Sequence, residues 1–378
     1  MLKVLLTNFH PGDGGGHTTY LASLIFSLKR EDRLQLHLAV PNQSKAFQVG
    51  THHQIPTHAI DFPGKVREVL SIIRNVRILR ALIVKHRFEL IHSNGSPDHR
   101  LIIYTLWTLP QRMRPRIVFT KHNSFPVDPG VLNKIRYTDY ADYIICVCQS
   151  LKKQFKQLGV SETRISVIPN GVDLDRFHPQ TKLKDRMQSR QKFGLPEHRI
   201  MFISCAGTAS HKGWQILANA LCKLPHALRE KFCVVVLGSK PSQSKLESLL
   251  DEPSMTELHF PGHQDNVVPY LQVADVGFVL STAVETISFA CREMMACGLP
   301  TLVSDFGCVQ ENVDESTGWV VKAGSESDIE AFLSEIHHYD LAEMGASARQ
   351  RALENFSIIQ FAQQTLTAYQ ATLNPETK

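Results

Sequence analysis

Short apolar runs broken by Gly, Asn and Pro recur along the chain. The first predicts strands at Lys3–Asn8, Leu34–Val40, Glu89–Ser93, Ile117–Thr120, Tyr143–Val147 and Ile165–Ile168. The pattern then restarts, with strands predicted at Ile200–Cys205, Phe232–Leu237, Leu258–Phe260, Val276–Leu280, Thr301–Val303 and Val320–Val321. Helical patterning lies between the runs. A helix capped by Thr18 or Thr19 is expected to reach Lys29, and Lys65–His86 shows clear helical periodicity. In that second helix Val69, Ile72, Ile73, Val76, Leu79 and Ile83 share one face, with Arg67, Arg74 and Lys85 opposite. A polar, His-rich loop is expected up to about Pro63, and the end of the chain reads as helix from about Asp328. Strands alternating with helices predict doubly wound α/β architecture, in which ligands bind at the carboxyl ends of the strands.

Several loops fall at those ends. His10–His17, His-Pro-Gly-Asp-Gly-Gly-Gly-His, follows the first strand, and Gly14, Gly15 and Gly16 would let backbone approach a phosphate or sugar closely. It is not Gly-x-Gly-x-x-Gly, which argues against a nicotinamide cofactor. Asn94-Gly95-Ser96 and Lys121-His122-Asn123 follow two further strands. The densest chemistry lies in Glu285–Asp305, which reads as loop, short helix, tight stop and buried strand. Gly298 can take the left-handed conformation that ends a helix, and Pro300 forbids continuation. Thr286 or Ser288 is expected to cap the helix. Eight residues at a rise of ~1.5 Å put Glu285 and Glu293 about 12 Å apart along the axis, with helix-start N–H groups between them. That pattern suits a nucleotide-sugar: Glu285 on the sugar, the helix N-terminus on the diphosphate, Glu293 on the ribose. Two surface glutamates on an amphipathic helix would give the same spacing.

The stretch resembles the Glu-x7-Glu region of the retaining glycosyltransferase family called group 1, which has the GT-B fold. There the segment commonly reads Glu-Gly-Phe-Gly-x-x-x-x-Glu-Ala-Met-Ala-x-Gly-x-Pro-Val-Val. Here Glu285, Glu293 and Met295-Ala296-Cys297-Gly298-Leu299-Pro300 are in step, whereas Thr286-Ile287-Ser288 and Met294 depart from it. Pro169-Asn170-Gly171-Val172-Asp173 resembles the turn that closes the family's first domain, and the polar stretch after Phe177 reads as a linker.

The resemblance implies an α/β GT-B fold: two Rossmann-like doubly wound domains facing a cleft. Residues 1–172 would bind the acceptor and 173–355 the nucleotide-sugar, with the helix 356–378 crossing back. It implies catalytic roles for His122, Lys212 and Glu285. Donor binding would fall to Gly15, Gly16, Thr208, Lys212, His263, Glu285, Thr286, Ile287, Ser288 and Glu293, and acceptor binding to His17, Asn94 and Asn123. The family usually sets an Arg near Thr208 and a Lys at Lys212 to neutralise the diphosphate; only the Lys is present, with His211 beside it. No cofactor and no required metal ion are expected, the nucleotide-sugar being a substrate. A nucleotide-sugar epimerase of the same fold and a non-catalytic homologue serving as a partner subunit are the rival readings.

Composition adds four constraints. A length of 378 residues favours two domains, and 43% hydrophobic with 20% charged residues describes an ordinary globular chain. The eight cysteines are scattered without a Cys-x-x-Cys pair, which fits buried thiols in a reducing compartment. No run of about 18 apolar residues and no signal peptide is read, so a cytoplasmic location is expected. The net charge of +5 is uneven: residues 1–172 hold 23 Lys/Arg against 11 Asp/Glu, the remainder 18 against 25. The first half, with Arg67/Arg74/Lys85, Lys152/Lys153/Lys156 and Arg112/Arg114/Arg116, suits an anionic glycan or lipid-linked acceptor. Weak docking on the inner face of a membrane is expected, in lipopolysaccharide or other surface-polysaccharide synthesis; nucleic acid is not an expected partner.

Overall fold

The computed structural model describes residues 1–65, 67–180, 183–251 and 256–374. The chain divides into two compact units, Met1–Gly171 with Ile358–Lys378, and Val172–Ser357.

The first unit holds seven parallel strands: β1 (Leu2–Thr7), β2 (Leu34–Val40), β3 (Thr57–Ala59), β4 (Leu90–Ser93), β5 (Arg116–Lys121), β6 (Tyr143–Cys146) and β7 (Ile165–Val167). Its helices are α1 (Gly15–Leu28), α2 (Lys45–His52), α3 (Val69–His86), α4 (Ser96–Trp107), α5 (Val131–Thr138) and α6 (Gln149–Leu158). The strand order is β3-β2-β1-β4-β5-β6-β7. The second unit repeats the plan with β8 (Ile200–Ser204), β9 (Phe232–Leu237), β10 (Leu258–Gly262), β11 (Val276–Val279), β12 (Thr301–Ser304) and β13 (Gly318–Val321), in the order β10-β9-β8-β11-β12-β13. Its helices are α7 (Leu183–Lys192), α8 (Trp214–Lys223), α9 (His226–Arg229), α10 (Gln243–Leu249), α11 (Val268–Leu271), α12 (Phe289–Ala296), α13 (Glu326–Glu335) and α14 (Leu341–Asn355). The last helix, α15 (Ile358–Leu373), belongs to the first unit and packs on α1 and β5.

Both sheets are covered on two sides, which is why their strands read as unbroken apolar runs. In the second unit Met201, Ile203, Cys233 and Val235 face one core layer, and Phe202, Val234 and Val236 the other, as side-chain alternation requires. All eight cysteines are free thiols, and six of them are buried. Among the described residues no helix is long and apolar enough to cross a membrane.

Several expectations are corrected. The glycine-rich loop is shorter than read, because Gly15, Gly16 and His17 open α1; Gly14 is its N-cap at φ 68°, and Thr18 and Thr19 lie inside the helix. The loop placed before Pro63 contains α2 and β3. The α2 start is closed by Ser44, whose hydroxyl accepts from Phe47 N–H at 3.1 Å. Helix α3 begins at Val69 rather than Lys65, and Val66 lies outside the described residues. Its inward residues are Asn75, Leu79 and Ile83, while Val69 and Ile73 are exposed. The core under α3 takes Leu79 and Ile83 fully and Ile72 and Val76 in part, so the first turn finds nothing to bury against. The linker stretch after Phe177 includes residues 181 and 182, which lie outside the described residues.

Candidate functional site

In a doubly wound sheet, the loops on either side of the point where strand order reverses diverge and leave room for a ligand. In the second unit that point lies between β8 and β11. The loop after β8 carries Thr208 and Lys212, and the loop after β11 carries Ser281 and Glu285.

Lys212 Nζ and Glu285 Oε2 form an ion pair at 2.8 Å, with side chains 20% and 12% exposed. Ser281 Oγ donates to Glu285 Oε2 at 3.3 Å, and Thr286 N–H to Oε1 at 3.2 Å. Backbone contacts fix the two loops: Thr282 N–H donates to His211 O at 2.8 Å, and Cys308 N–H to Thr286 O at 2.8 Å. Gly213 sits at φ 76° against Leu280 O, where no Cβ fits, and Gly307 is pressed likewise on Glu285 O.

The backbone around Glu285 is strained. Val284 at φ 50° and Ser288 at φ 49° bracket it, two of only five non-glycine residues with positive φ among the described residues. A β-branched residue there is unusual and persists only when surrounding contacts over-determine it. The sequence expectation of a cap from Thr286 or Ser288 fails for this reason: Ser288 occupies the N-cap of α12 but makes no side-chain cap. Because α12 starts at Phe289, Glu285 lies in an irregular loop, so an axial rise cannot be applied from it to Glu293. The α12 N-terminus still carries partial positive charge.

Glu293, on α12, is half-buried, and burial pushes its carboxyl up to about 6, with Arg176 pulling the other way. Cys205 Sγ, at the end of β8, lies 3.8 Å from Glu293 Oε2. Thr208 Oγ1 donates to Ser239 O at 2.6 Å, and its carbonyl accepts from Trp214 Nε1 at 3.0 Å, so Thr208 shapes the loop rather than presenting a hydroxyl. Ile287 is buried, and its carbonyl accepts from Asn312 Nδ2 at 2.6 Å. His263 is exposed just beyond β10, with its Nε2 4.0 Å from Asp265 Oδ1. Asp173-Leu174-Asp175 is an Asp-x-Asp triplet, a pattern that holds a metal ion in some enzymes. Its Asp173 Oδ1 accepts from Asp175 N–H and Arg176 N–H at 3.1 Å each, which commits it to a turn.

In the first unit the reversal point lies between β1 and β4, and imidazoles cluster there. His17, in the first turn of α1, bonds Asn94 O through Nδ1 at 3.0 Å. His122, after β5, bonds Asn94 Oδ1 through Nε2 at 3.1 Å. The rings of His17 and His122 lie 4.6 Å apart, His10 is 4.7 Å from His17, and Tyr20 is 4.3 Å from His122. Gly15 and Gly16 are exposed with open space around them. Asn94 is fully buried; its Nδ2 donates to Thr7 O at 2.9 Å, and its two oxygens hold the His17 and His122 rings. Asn123 accepts from Lys121 Nζ at 2.7 Å. Burial lowers His17 to about 4 and His122 well below the usual imidazole value, so both rings are neutral at pH 7.

Sequence reading missed the layer beneath. His92 bonds Thr120 Oγ1 at 2.6 Å and Tyr369 OH at 2.8 Å. Asp98 accepts from Thr7 Oγ1 at 2.6 Å and Asn94 N–H at 2.8 Å, and burial pushes it up to about 6. A His inside an apolar strand and an Asp in the first turn after Asn-Gly-Ser-Pro were the available signals.

Comparison with known proteins follows this division. Residues 14–176 match the model for Glycosyltransferase Family 4, and residues 185–352 that for Glycosyl transferases group 1. The chain is 27% identical over 164 residues to the 2-deoxystreptamine glucosyltransferase of Streptomyces kanamyceticus, covering 43% of this chain and 42% of that protein. It is 24% identical over 383 residues to the GDP-mannose-dependent alpha-(1-6)-phosphatidylinositol monomannoside mannosyltransferase of Mycolicibacterium smegmatis, covering 93% and 94%. Thus the match spans less than half the length of the first relative and nearly all of the second. The Anabaena Alr3699/HepE structure in complex with UDP and glucose has the same fold, with a TM-score of 0.77 at 17% identity, covering 98% of this chain and 100% of that one. The two family models fall one on each half and together span most of the chain, so the first unit is similar to Glycosyltransferase Family 4 and the second to Glycosyl transferases group 1.

Proposed function

We propose that this chain transfers a glycosyl unit from a nucleotide-sugar to a hydroxyl of a glycan or lipid-linked acceptor, with retention of anomeric configuration. The Lys212–Glu285 ion pair at the reversal point, next to the α12 N-terminus, carries this reading. In the reaction the acceptor oxygen forms a bond to the anomeric carbon as the bond from that carbon to the diphosphate oxygen breaks. The acceptor proton passes to the departing phosphate oxygen on the same face.

Lys212, loop amides and the helix start would take up the charge developing on the diphosphate. Glu285 would release Lys212 to the phosphates and turn to the sugar hydroxyls. Glu293 would accept from the ribose. His122, neutral and held by Asn94, would act as a hydrogen-bond partner near the sugar and not as a cation. The names of the relatives support a glycosyl donor, but one specifies GDP-mannose and the Anabaena structure holds UDP, so the base stays open. A lipid-linked acceptor fits the phosphatidylinositol mannoside in the name of the full-length relative and the basic first unit. A surface-polysaccharide or lipopolysaccharide precursor is one acceptor of that kind.

A thermal-shift screen across UDP-, GDP- and ADP-sugars tests donor binding; ligand at ~100 times its dissociation constant stabilises by about 2.7 kcal/mol. NMR of the product then reads the anomeric configuration. Binding of no nucleotide-sugar would overturn the proposal. Nucleotide release that does not need an acceptor would favour the epimerase.

A further inference from the structure

We propose that His37, His58 and His86 form a three-imidazole site for a divalent transition metal of the zinc class, on the first unit and separate from the residues above. One ligand nitrogen from each ring lies within 4.8 Å of the others. His37 Nδ1 and His58 Nε2 are already 3.0 Å apart, close to the roughly 3.3 Å spacing of two imidazoles at ~2.0–2.1 Å on a tetrahedral zinc. The ring centroids of His86 are 4.7 Å from His37 and 5.5 Å from His58.

The fold brings them together from three elements. His37 lies in mid-β2. His58 pairs with Ala39, two residues further along, so both imidazoles stand on one side of the sheet. His86 is the last residue of α3. His37 is buried, whereas His58 and His86 are half-buried, which leaves a fourth position open to water. Three imidazoles hold more nitrogens than their single mutual hydrogen bond uses, and His37 Nε2 is buried without a partner among the described residues. Nitrogen-only donors suit zinc, copper, nickel and cobalt, not calcium or magnesium. The metal would clip the three-residue edge strand β3 and the end of α3 to β2.

The test uses the full, untagged chain. Equilibrium dialysis against Zn²⁺ should give one tightly bound ion per chain, and Co²⁺ should produce the visible absorption of a four-coordinate site. His58→Ala and His86→Ala should each weaken Zn²⁺ binding at least tenfold, while His226→Ala should not. Zinc K-edge absorption of the unaltered chain should show three imidazoles and one further nitrogen or oxygen ligand at about 2.0 Å. That measurement stands even where a variant fails to fold. Unchanged stoichiometry and affinity in both variants, thiolate scattering at about 2.3 Å, or no binding at 100-fold excess Zn²⁺ would each overturn the proposal.

Discussion

The two units place their candidate chemistry at the same topological address and fill it with opposite materials. Both use the loops beside the strand-order reversal, after β1 and β4 in one and after β8 and β11 in the other. The first unit sets neutral imidazoles on a hydrogen-bonded floor of Thr7, His92, Asn94 and Asp98. The second sets an ion pair on a loop bent at Val284 and Ser288. Neutral imidazoles orient a hydroxyl-rich ligand without holding charge. A cation shared with a carboxylate can be handed to an incoming anion. One address thus holds two chemistries, because topology decides where loops diverge while side chains decide what they present.

Removing the cation should break the comparison most severely. Lys212→Ala is expected to lower turnover by on the order of 10²-fold or more, as when one preorganised transition-state donor is lost. Near-normal turnover would move the phosphate role elsewhere.

Next in size is Glu293→Gln, which turns a charged ribose contact into a neutral one. Such bonds are worth about 1.5–3 kcal/mol, or roughly 10- to 100-fold in nucleotide affinity by calorimetry. Unchanged affinity would remove the ribose role. The same variant has a stability signature of opposite sign. Folding raises this carboxyl from 4.5 to about 6, so between those values the folded state binds more protons, and stability falls as pH rises through the window. Glu293→Gln should therefore be more stable than the parent above pH 6 and lose that advantage below 4.5, as read by thermal melts.

A smaller effect is expected from Asn94→Asp. Placing a carboxylate against His122 Nε2 should raise that imidazole's pKa. The parent's rate profile should then lack an imidazole limb in the neutral range, and in the variant that limb should move up toward neutral pH. Matching profiles would mean that His122 does not report on turnover.

Smallest is membrane docking. Exposed Val69, Leu70 and Ile73 lie near Arg67 and Arg74 in sequence, and each such cation adds about 1 kcal/mol at an anionic surface. Sedimentation should show binding to anionic but not neutral vesicles, lost at high salt and reduced by Arg67→Glu with Arg74→Glu. Equal partition with both vesicle types would point to a soluble acceptor. The basic helix α6 should contribute little, since Lys152 and Lys156 both pair with Glu162, at 3.2 and 2.8 Å.

What the sequence made legible follows from range. Strands such as Leu34–Val40 and Phe232–Leu237 were readable to the residue, because burial on both faces leaves an uninterrupted apolar run. The Glu285–Pro300 stretch was readable because its stop signals are local. Unreadable features depended on distant partners. His92 meets Tyr369 across 277 residues, and His37 meets His58 across 21 with a helix between. Helix α4 passed unread because it buries Leu101, Ile102, Ile103, Thr105 and Leu106, leaving little amphipathic contrast. Val69 and Ile73 misled for the converse reason: their spacing is right, but the core ends before it reaches them.

The return of α15 has a consequence for how the protein is made. Its Tyr369 is fully buried against His92, and its Phe361 packs edge-on against Tyr20 at 5.2 Å, so the first unit is discontinuous in sequence. At about 5–20 residues per second, the ribosome takes roughly 10–40 s to travel from Gly171 to Ile358. Throughout that interval the unit synthesised first lacks its closing helix, and the side of the sheet around His92, Thr120 and Tyr20 stays uncovered. The second unit is contiguous and needs nothing beyond Ser357. The half that begins translation is therefore the last to finish folding.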